Sequence, residues 1–252
     1  MDSESINLTK SPIIEAVVDI ECDLPPDATL PVMEANAKAA FAGYPIFRPV
    51  FMQEHRIAPI ANAKVQVSVD PPALQAYQFL KDDGQQLLQL RTQGFSFHRL
   101  APYSTLDDYL PQIQQAWSQY VQISSAIQIK MLRLRYINRL LLPLGGGLVR
   151  LEDYLTLGPR MPDYEGLQYL GFLHQNIAIE PSSGHQANMV LATQPIVDNS
   201  LPILFDITVA AAMSVPAEDW ASVEKKVGSL RVLKNRIFKA TLTPRCVAQY
   251  QL

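Results

Sequence analysis

The chain has 252 residues, of which 48% are hydrophobic and 18% are charged, and its net charge is -3 at pH 7. This composition is that of a folded globular protein and excludes a disordered or collagen-like chain. With 21 basic and 24 acidic residues, the chain has no global positive field that would gather nucleic acid or anionic lipid. Its length predicts one or two domains with a hydrophobic core that needs no disulfide bond or metal ion.

Two features of the sequence predict a cytoplasmic protein without a membrane contact. The first ten residues are polar and lack the basic start and apolar run of a secretory signal. The best apolar run, 201–215, is interrupted by a proline and an aspartate and does not predict a membrane span. Cys22 and Cys246 lie far apart without a CxxC or Cys/His grouping, so we interpret both as small buried hydrophobic residues.

In the first half of the chain, alternating apolar and charged residues predict a strand over 12–23, followed by a short helix. Five strand-like stretches come next, at 46–60, 64–70, 74–81, 85–91 and 95–100. Ser104 and Asp107 resemble a capping box that begins an amphipathic helix containing Pro111. These elements predict an antiparallel meander between two helices.

The second half repeats this order of elements. The predicted elements are a strand at 127–142, a short helix at 148–155, strands at 167–179, 187–194 and 202–214, and a long helix at 217–241. The long helix carries an apolar stripe, which we expect to be buried: Trp220, Val223, Val227, Leu230 and Ile237.

We therefore predict an α+β fold with two related β-α-(β)n-α halves, 1–124 and 125–252, in one compact pseudo-duplicated unit. Antiparallel sheets are expected to pack against long amphipathic helices, and one continuous curved sheet or a pseudo-symmetric barrel is left open. The crevice between the halves is the predicted pocket.

Three short motifs carry a resemblance to a known family: PIIEAV at 12–17, LRYINRLLLP at 134–143 and IFKATLT at 237–243. They resemble a sporadically distributed family of prokaryotic proteins of about this length, which has no assigned function. In the last motif, relatives tend to continue with Thr-Asp where this chain has Thr243 and Pro244. The resemblance supports the predicted architecture and supplies no catalytic residue. The family's scattered distribution implies an accessory component of a mobile or defence-type gene cluster.

Two charged stripes lie on the opening strands of the two halves. Asp19, Glu21 and Asp23 alternate on one strand face and are the candidate ligands of a metal ion, Mg²⁺ or Mn²⁺. The candidate residues for binding an anionic ligand are Glu15, Arg133, Arg135 and Arg139.

These stripes leave three functions open. The first is a non-enzymatic binding protein without cofactor or catalytic residue, whose partner is an unknown protein or a small anionic ligand. The second is a metal-dependent enzyme that acts on a phosphorylated small molecule. For this function the stripes resemble the triphosphate tunnel enzymes, although Asp23 stands where the opening Glu-x-Glu-x-Lys of that family has its lysine.

The third function is nucleic-acid binding through the basic residues between 130 and 160, which have few aromatic residues among them. We favour the binding protein, because opposite charges on the face of a sheet usually form ion pairs across strands. The sequence leaves open whether the protein forms a homo-oligomer.

Three further patterns do not predict chemistry. The stretch Gly94 to His98 lacks the final glycine of a nucleophile elbow and alternates like a strand. The four histidines are scattered without metal-binding spacing. Gly145 to Gly147 lacks the GK[ST] of a phosphate-binding loop and is interpreted as a turn.

Overall fold

The computed structural model describes residues 8–53, 55–58, 66–69, 71–145, 149–158 and 171–251. Its strands are β1 Ile13–Asp23, β2 Ile46–Met52, β3 His55–Ala58, β4 Gln66–Val69, β5 Ala73–Leu80, β6 Gln86–Arg91, β7 Gly94–Leu100, β8 Gln128–Pro143, β9 Leu173–Ile179, β10 Gln186–Thr193 and β11 Ser200–Pro216. Its helices are α1 Leu30–Ala40, α2 Leu106–Ser124, α3 Trp220–Thr241 and α4 Pro244–Ala248.

Nine of these strands form one antiparallel sheet. Their order is β2-β5-β6-β7-β1-β8-β11-β10-β9, and β3 and β4 form a separate two-stranded pair. The first half of the chain supplies the strands from β2 to β1, and the second half supplies those from β8 to β9. β1 and β8 meet at the centre, where β1 pairs along its whole length with residues 128–138 of β8.

The predicted α+β fold, with antiparallel sheets in two halves packed against long helices, is wrong. The described part of the chain contains a single large antiparallel sheet and only three helices of seven or more residues. The physical reason is the hydrogen-bonded pairing of β1 with β8, which joins the opening strands of both halves in one sheet. This pairing leaves no crevice between the two strands for the predicted pocket. The division at residue 124 falls between α2 and β8 and stays a prediction.

Several predicted boundaries also differ from the structure. The helix expected at 148–155 is only a 3-10 turn over Leu151–Asp153. The cap of α2 lies one residue later than predicted, with the main-chain N–H of Thr105 donating to Asp108 at 3.2 Å. Parts of five predictions lie outside the described residues: 54 and 59–60 of the first strand-like stretch, 64–65 and 70 of the second, 167–170 of the strand at 167–179, 146–147 of the glycine turn, and 148 of the short helix.

One face of the sheet forms the core. The buried side chains alternate along each central strand, including Ala16, Val18, Ile20 and Cys22 of β1 and Ile203, Phe205, Ile207 and Val209 of β11. α1, α2 and α3 pack on this face, and Trp117 Nε1 donates to the main-chain oxygen of Ala217 at 2.8 Å. The opposite face, which none of the described helices covers, is called the open face below.

No helix within the described ranges combines the length and the apolar character that a membrane span requires.

Candidate functional site

The open face brings the two predicted charged stripes together. β1 runs antiparallel to β8 with Asp19 opposite Arg133 and Val17 opposite Arg135. Because side chains alternate along a strand, the odd-numbered residues of both strands point to the open face at this place. The acidic residues of β1 therefore lie beside the basic residues of β8.

Arg133 is the centre of a charged cluster with Asp19 and Glu21. Its Nη1 donates to Asp19 Oδ1 at 3.0 Å and its Nη2 to Glu21 Oε2 at 2.7 Å. Arg91, at the end of β6, donates to the other oxygen of Asp19. Burial opposes the charge on Arg133, but the hydrogen bonds to Glu21 and Asp19 outweigh it and raise the pKa of the guanidinium.

The remaining candidate residues lie around this cluster. Asp23 accepts from Lys130 Nζ at 3.0 Å, in an exposed pair. Arg135 instead pairs with Asp206 of β11, with its Nη2 2.6 Å from Asp206 Oδ2. Arg139 is exposed and has no ion pair among the residues that the structure describes. The structure thus joins Asp19, Glu21 and Arg133 and separates the other candidates from them.

The acidic stripe does not present a ready metal site in this arrangement. Across the described ranges, no three His, Cys, Asp or Glu side chains are grouped so that they could hold a metal ion. Both carboxylate oxygens of Asp19 already accept hydrogen bonds from guanidinium groups. A metal ion would have to compete with Arg91 and Arg133 for the same oxygen atoms.

A hydrogen-bonded chain of Ser96, His98 and Glu15 crosses the open face beside this cluster. Ser96 Oγ lies 2.9 Å from His98 Nε2, and His98 Nδ1 lies 2.7 Å from Glu15 Oε1. Because a carboxylate only accepts, Nδ1 donates to Glu15, and in the neutral ring Nε2 accepts from the serine hydroxyl. The hydrogen bond from His98 lowers the pKa of Glu15 and outweighs the opposite effect of burial.

Sequence reasoning missed these hydrogen bonds between Ser96, His98 and Glu15, although the alternation of Ser96 and His98 indicated that the two side chains share a face. Ser96 and His98 alternate on one face of β7, and β7 pairs with β1 so that His98 lies opposite Val17, next to Glu15. The order of groups is that of a nucleophile, a base and an orienting acid. Ser96, however, is only 3% exposed, and β7 pairs on both sides with β1 and β6, so its main-chain N–H groups are engaged. The hydrogen bonds between Ser96, His98 and Glu15 therefore link β1 to β7, and Ser96 is not an accessible nucleophile.

A cleft of about 400 Å³ lies at the end of β1, next to the charged cluster. Its lining includes Glu21, Asp23, Lys130, Thr92 and Gln93. The charged groups in this lining are already paired, Glu21 with Arg133 and Asp23 with Lys130.

Comparison with known proteins does not indicate a function for this site. No protein-family model matches the chain, and no curated protein matches it significantly. The resemblance to the sporadically distributed prokaryotic family stays a prediction. The function must be inferred from the site itself.

Replacing Glu15 with glutamine is expected to weaken the fold at neutral pH by about 1 kcal/mol, because a hydrogen bond to a charged group is lost. The folded-state pKa of Glu15 is depressed, so its contribution is present above the unfolded-state pKa of about 4.3. The contribution disappears as the pH falls through the folded-state pKa. Urea unfolding of the wild type and Glu15→Gln at pH 7 and pH 3 measures this difference.

Glu224→Gln, at an exposed position on α3, is the matched control and is expected to change stability little at either pH. An equal loss for Glu15→Gln at both pH values would show that shape, and not charge, makes the difference.

Proposed function

We propose that the protein is a non-enzymatic interaction protein that binds a protein partner on its open face. The observation that carries this proposal is the mutual pairing of the predicted stripes: Arg133 with Asp19 and Glu21, and Arg135 with Asp206. Phosphate binding needs cations with unused donors and a metal site needs carboxylates with unused oxygens. Charges that are already paired serve neither purpose well, but they present fixed donors and acceptors to a polar partner.

Apolar residues between the charged groups support a protein partner. On β8, Ile137 lies between Arg135 and Arg139, and Leu141 follows as an exposed residue. Apolar side chains surrounded by arginine and other polar groups are typical of protein–protein interfaces. A small anion would leave these apolar side chains without a role.

We further propose a cytoplasmic location. Cys22 and Cys246 are both free and buried, and free thiols are typical of a reducing compartment. The accessory role in a mobile or defence-type gene cluster rests on the motif resemblance alone.

The test compares Arg139→Glu, on the open face, with Lys225→Glu, at an exposed position on α3. Both substitutions change the net charge by the same amount, so only the position differs. Tagged wild type and variants are incubated with lysate of the source cells, and retained proteins are quantified by mass spectrometry. We expect a protein that wild type and Lys225→Glu retain equally and that Arg139→Glu retains at least about tenfold less, since an interfacial charge reversal costs more than about 1.4 kcal/mol. Equal retention by all three proteins would contradict binding on this face.

A second arm tests the metal-dependent enzyme, which requires the acidic and basic stripes on one face, as Asp19 and Arg133 are. A nucleoside triphosphate is titrated calorimetrically into wild type and Glu21→Gln, with and without Mg²⁺. The proposal expects no heat of binding in any titration. Heat that requires Mg²⁺ and is lost in Glu21→Gln would replace the interaction protein with the enzyme.

A further inference from the structure

β9 is an edge of the nine-stranded sheet as far as the structure describes the chain. Three of its seven residues are large, apolar and exposed: Leu173 (74%), Ile177 (77%) and Ile179 (61%). Gln175 lies between them in the alternation, so all four side chains are on one face of the sheet. An exposed apolar edge strand is a surface on which another strand can pair.

The main chain of β9 also has hydrogen-bonding groups at this edge that no described strand pairs with. Thr193 donates its N–H to Phe172 O at 3.1 Å, and Glu180 donates its N–H to His185 O at 2.8 Å. In an antiparallel pair, the hydrogen-bonding direction alternates along the strand. The even-numbered residues of β9 therefore bond to β10, while Leu173, Gln175, Ile177 and Ile179 direct their N–H and C=O groups away from it.

β9 lacks the features that usually protect an edge strand. Its sequence, LHQNIAI, contains no proline and no Asp, Glu, Lys or Arg, and neither does that of the neighbouring strand β10, QANMVLAT. The opposite edge, β2, contains Arg48, Pro49 and an irregularity in pairing between Val50 and Phe51. Prolines, charges and bulges are the means by which edges avoid pairing. Within the described residues, one edge of the sheet is protected in this way and the other is not.

We propose that β9 pairs antiparallel with β9 of a second copy of this chain, so that the sheet continues across a two-fold axis. Pairing of the outward-facing residues places Leu173 opposite Ile179 of the second copy and Gln175 opposite its Ile177. Two copies of β9 are complementary to each other. They meet without like-charge repulsion and bury the same apolar residues on both sides of the axis. β9 is separated from β8 by β11 and β10, so this inference goes beyond the binding surface around Arg139 and does not depend on it.

The test is sedimentation of the full chain over a range of concentrations. We expect a dimer for the wild type and a dissociation constant at least about tenfold higher for two variants, a loss of about 1.4 kcal/mol or more. Gln175→Pro removes one outward N–H but keeps the three apolar side chains. Ile177→Lys keeps the main chain but brings two positive charges together near the two-fold axis. Val32→Lys, at an exposed apolar position on α1, is the control and is expected to leave the dissociation constant unchanged.

Thermal unfolding of each variant verifies that the monomer still folds. A wild type that is monomeric at every concentration overturns the proposal, as does a dimer that neither β9 variant weakens. A dimer weakened by Ile177→Lys alone also overturns it, because the side chains would then pack without main-chain pairing. In the lysate experiment, Ile177→Lys could fail to retain a protein that Arg139→Glu still retains. This result would show that the β9 edge binds a different protein and not a second copy of this chain. None of these results alters the test of the open face around Arg139.

Discussion

Leu230→Ala is expected to lower the free energy of unfolding by about 2–5 kcal/mol. Leu230 is completely buried on α3, which packs against β11 and β8. The truncation removes apolar surface from the core and leaves a cavity that close-packed neighbours fill only in part. Urea unfolding followed by circular dichroism measures the loss.

Val232→Ala is the control on the same helix, because Val232 is exposed. Its effect is expected to stay within about 0.5 kcal/mol. If both substitutions had the same effect, the stripe of α3 would not be part of the core. The predicted stripe is in fact buried at Val223, Val227 and Leu230, and half-buried at Trp220 and Ile237.

Local periodicity explains which elements could be predicted from the sequence. The strands expected at 12–23 and 127–142 are β1 Ile13–Asp23 and β8 Gln128–Pro143, because alternation with period two marks a strand with one buried face. The same alternation contains no information on which strand lies beside which. The pairing of β1 with β8 joins residues from opposite halves of the chain, and for this reason one continuous sheet was only an open alternative in the prediction.

The same distinction applies to the candidate site. Alternation placed Asp19 and Glu21 on one strand face and Arg133 on another, but only the register of β1 with β8 shows that they neutralise each other. Arg91 was missed because it enters the cluster from β6 through two intervening strand pairings. His98 was missed because its partner, Glu15, is on the neighbouring strand. Charge patterns identified the residues, and pairing determined what they do.

Gly94→Ala is expected to be among the most damaging single-methyl additions to this protein. Gly94 begins β7 opposite Glu21 and has a φ of +150°, a conformation that other residues rarely adopt. An alanine Cβ at this position would lie 2.1 Å from the main-chain oxygen of Ile20. Ile20 belongs to β1, which is hydrogen-bonded to β7 on one side and to β8 on the other and therefore cannot move away from the methyl group.

The expected loss is about 2–6 kcal/mol, the sum of about 1–3 for the strained backbone and about 1–3 for overpacking. Gly43→Ala is the control, because Gly43 has open space around it and no left-handed φ. Its stability should stay unchanged or rise by about 0.4–1 kcal/mol, since alanine restricts the unfolded chain. Urea unfolding of both variants measures the difference, and equal effects would contradict the close approach of β7 to β1. Because Asp19 and Glu21 are on the same stretch of β1, a β7 forced away by the methyl group would also loosen the edge of the Arg133 cluster.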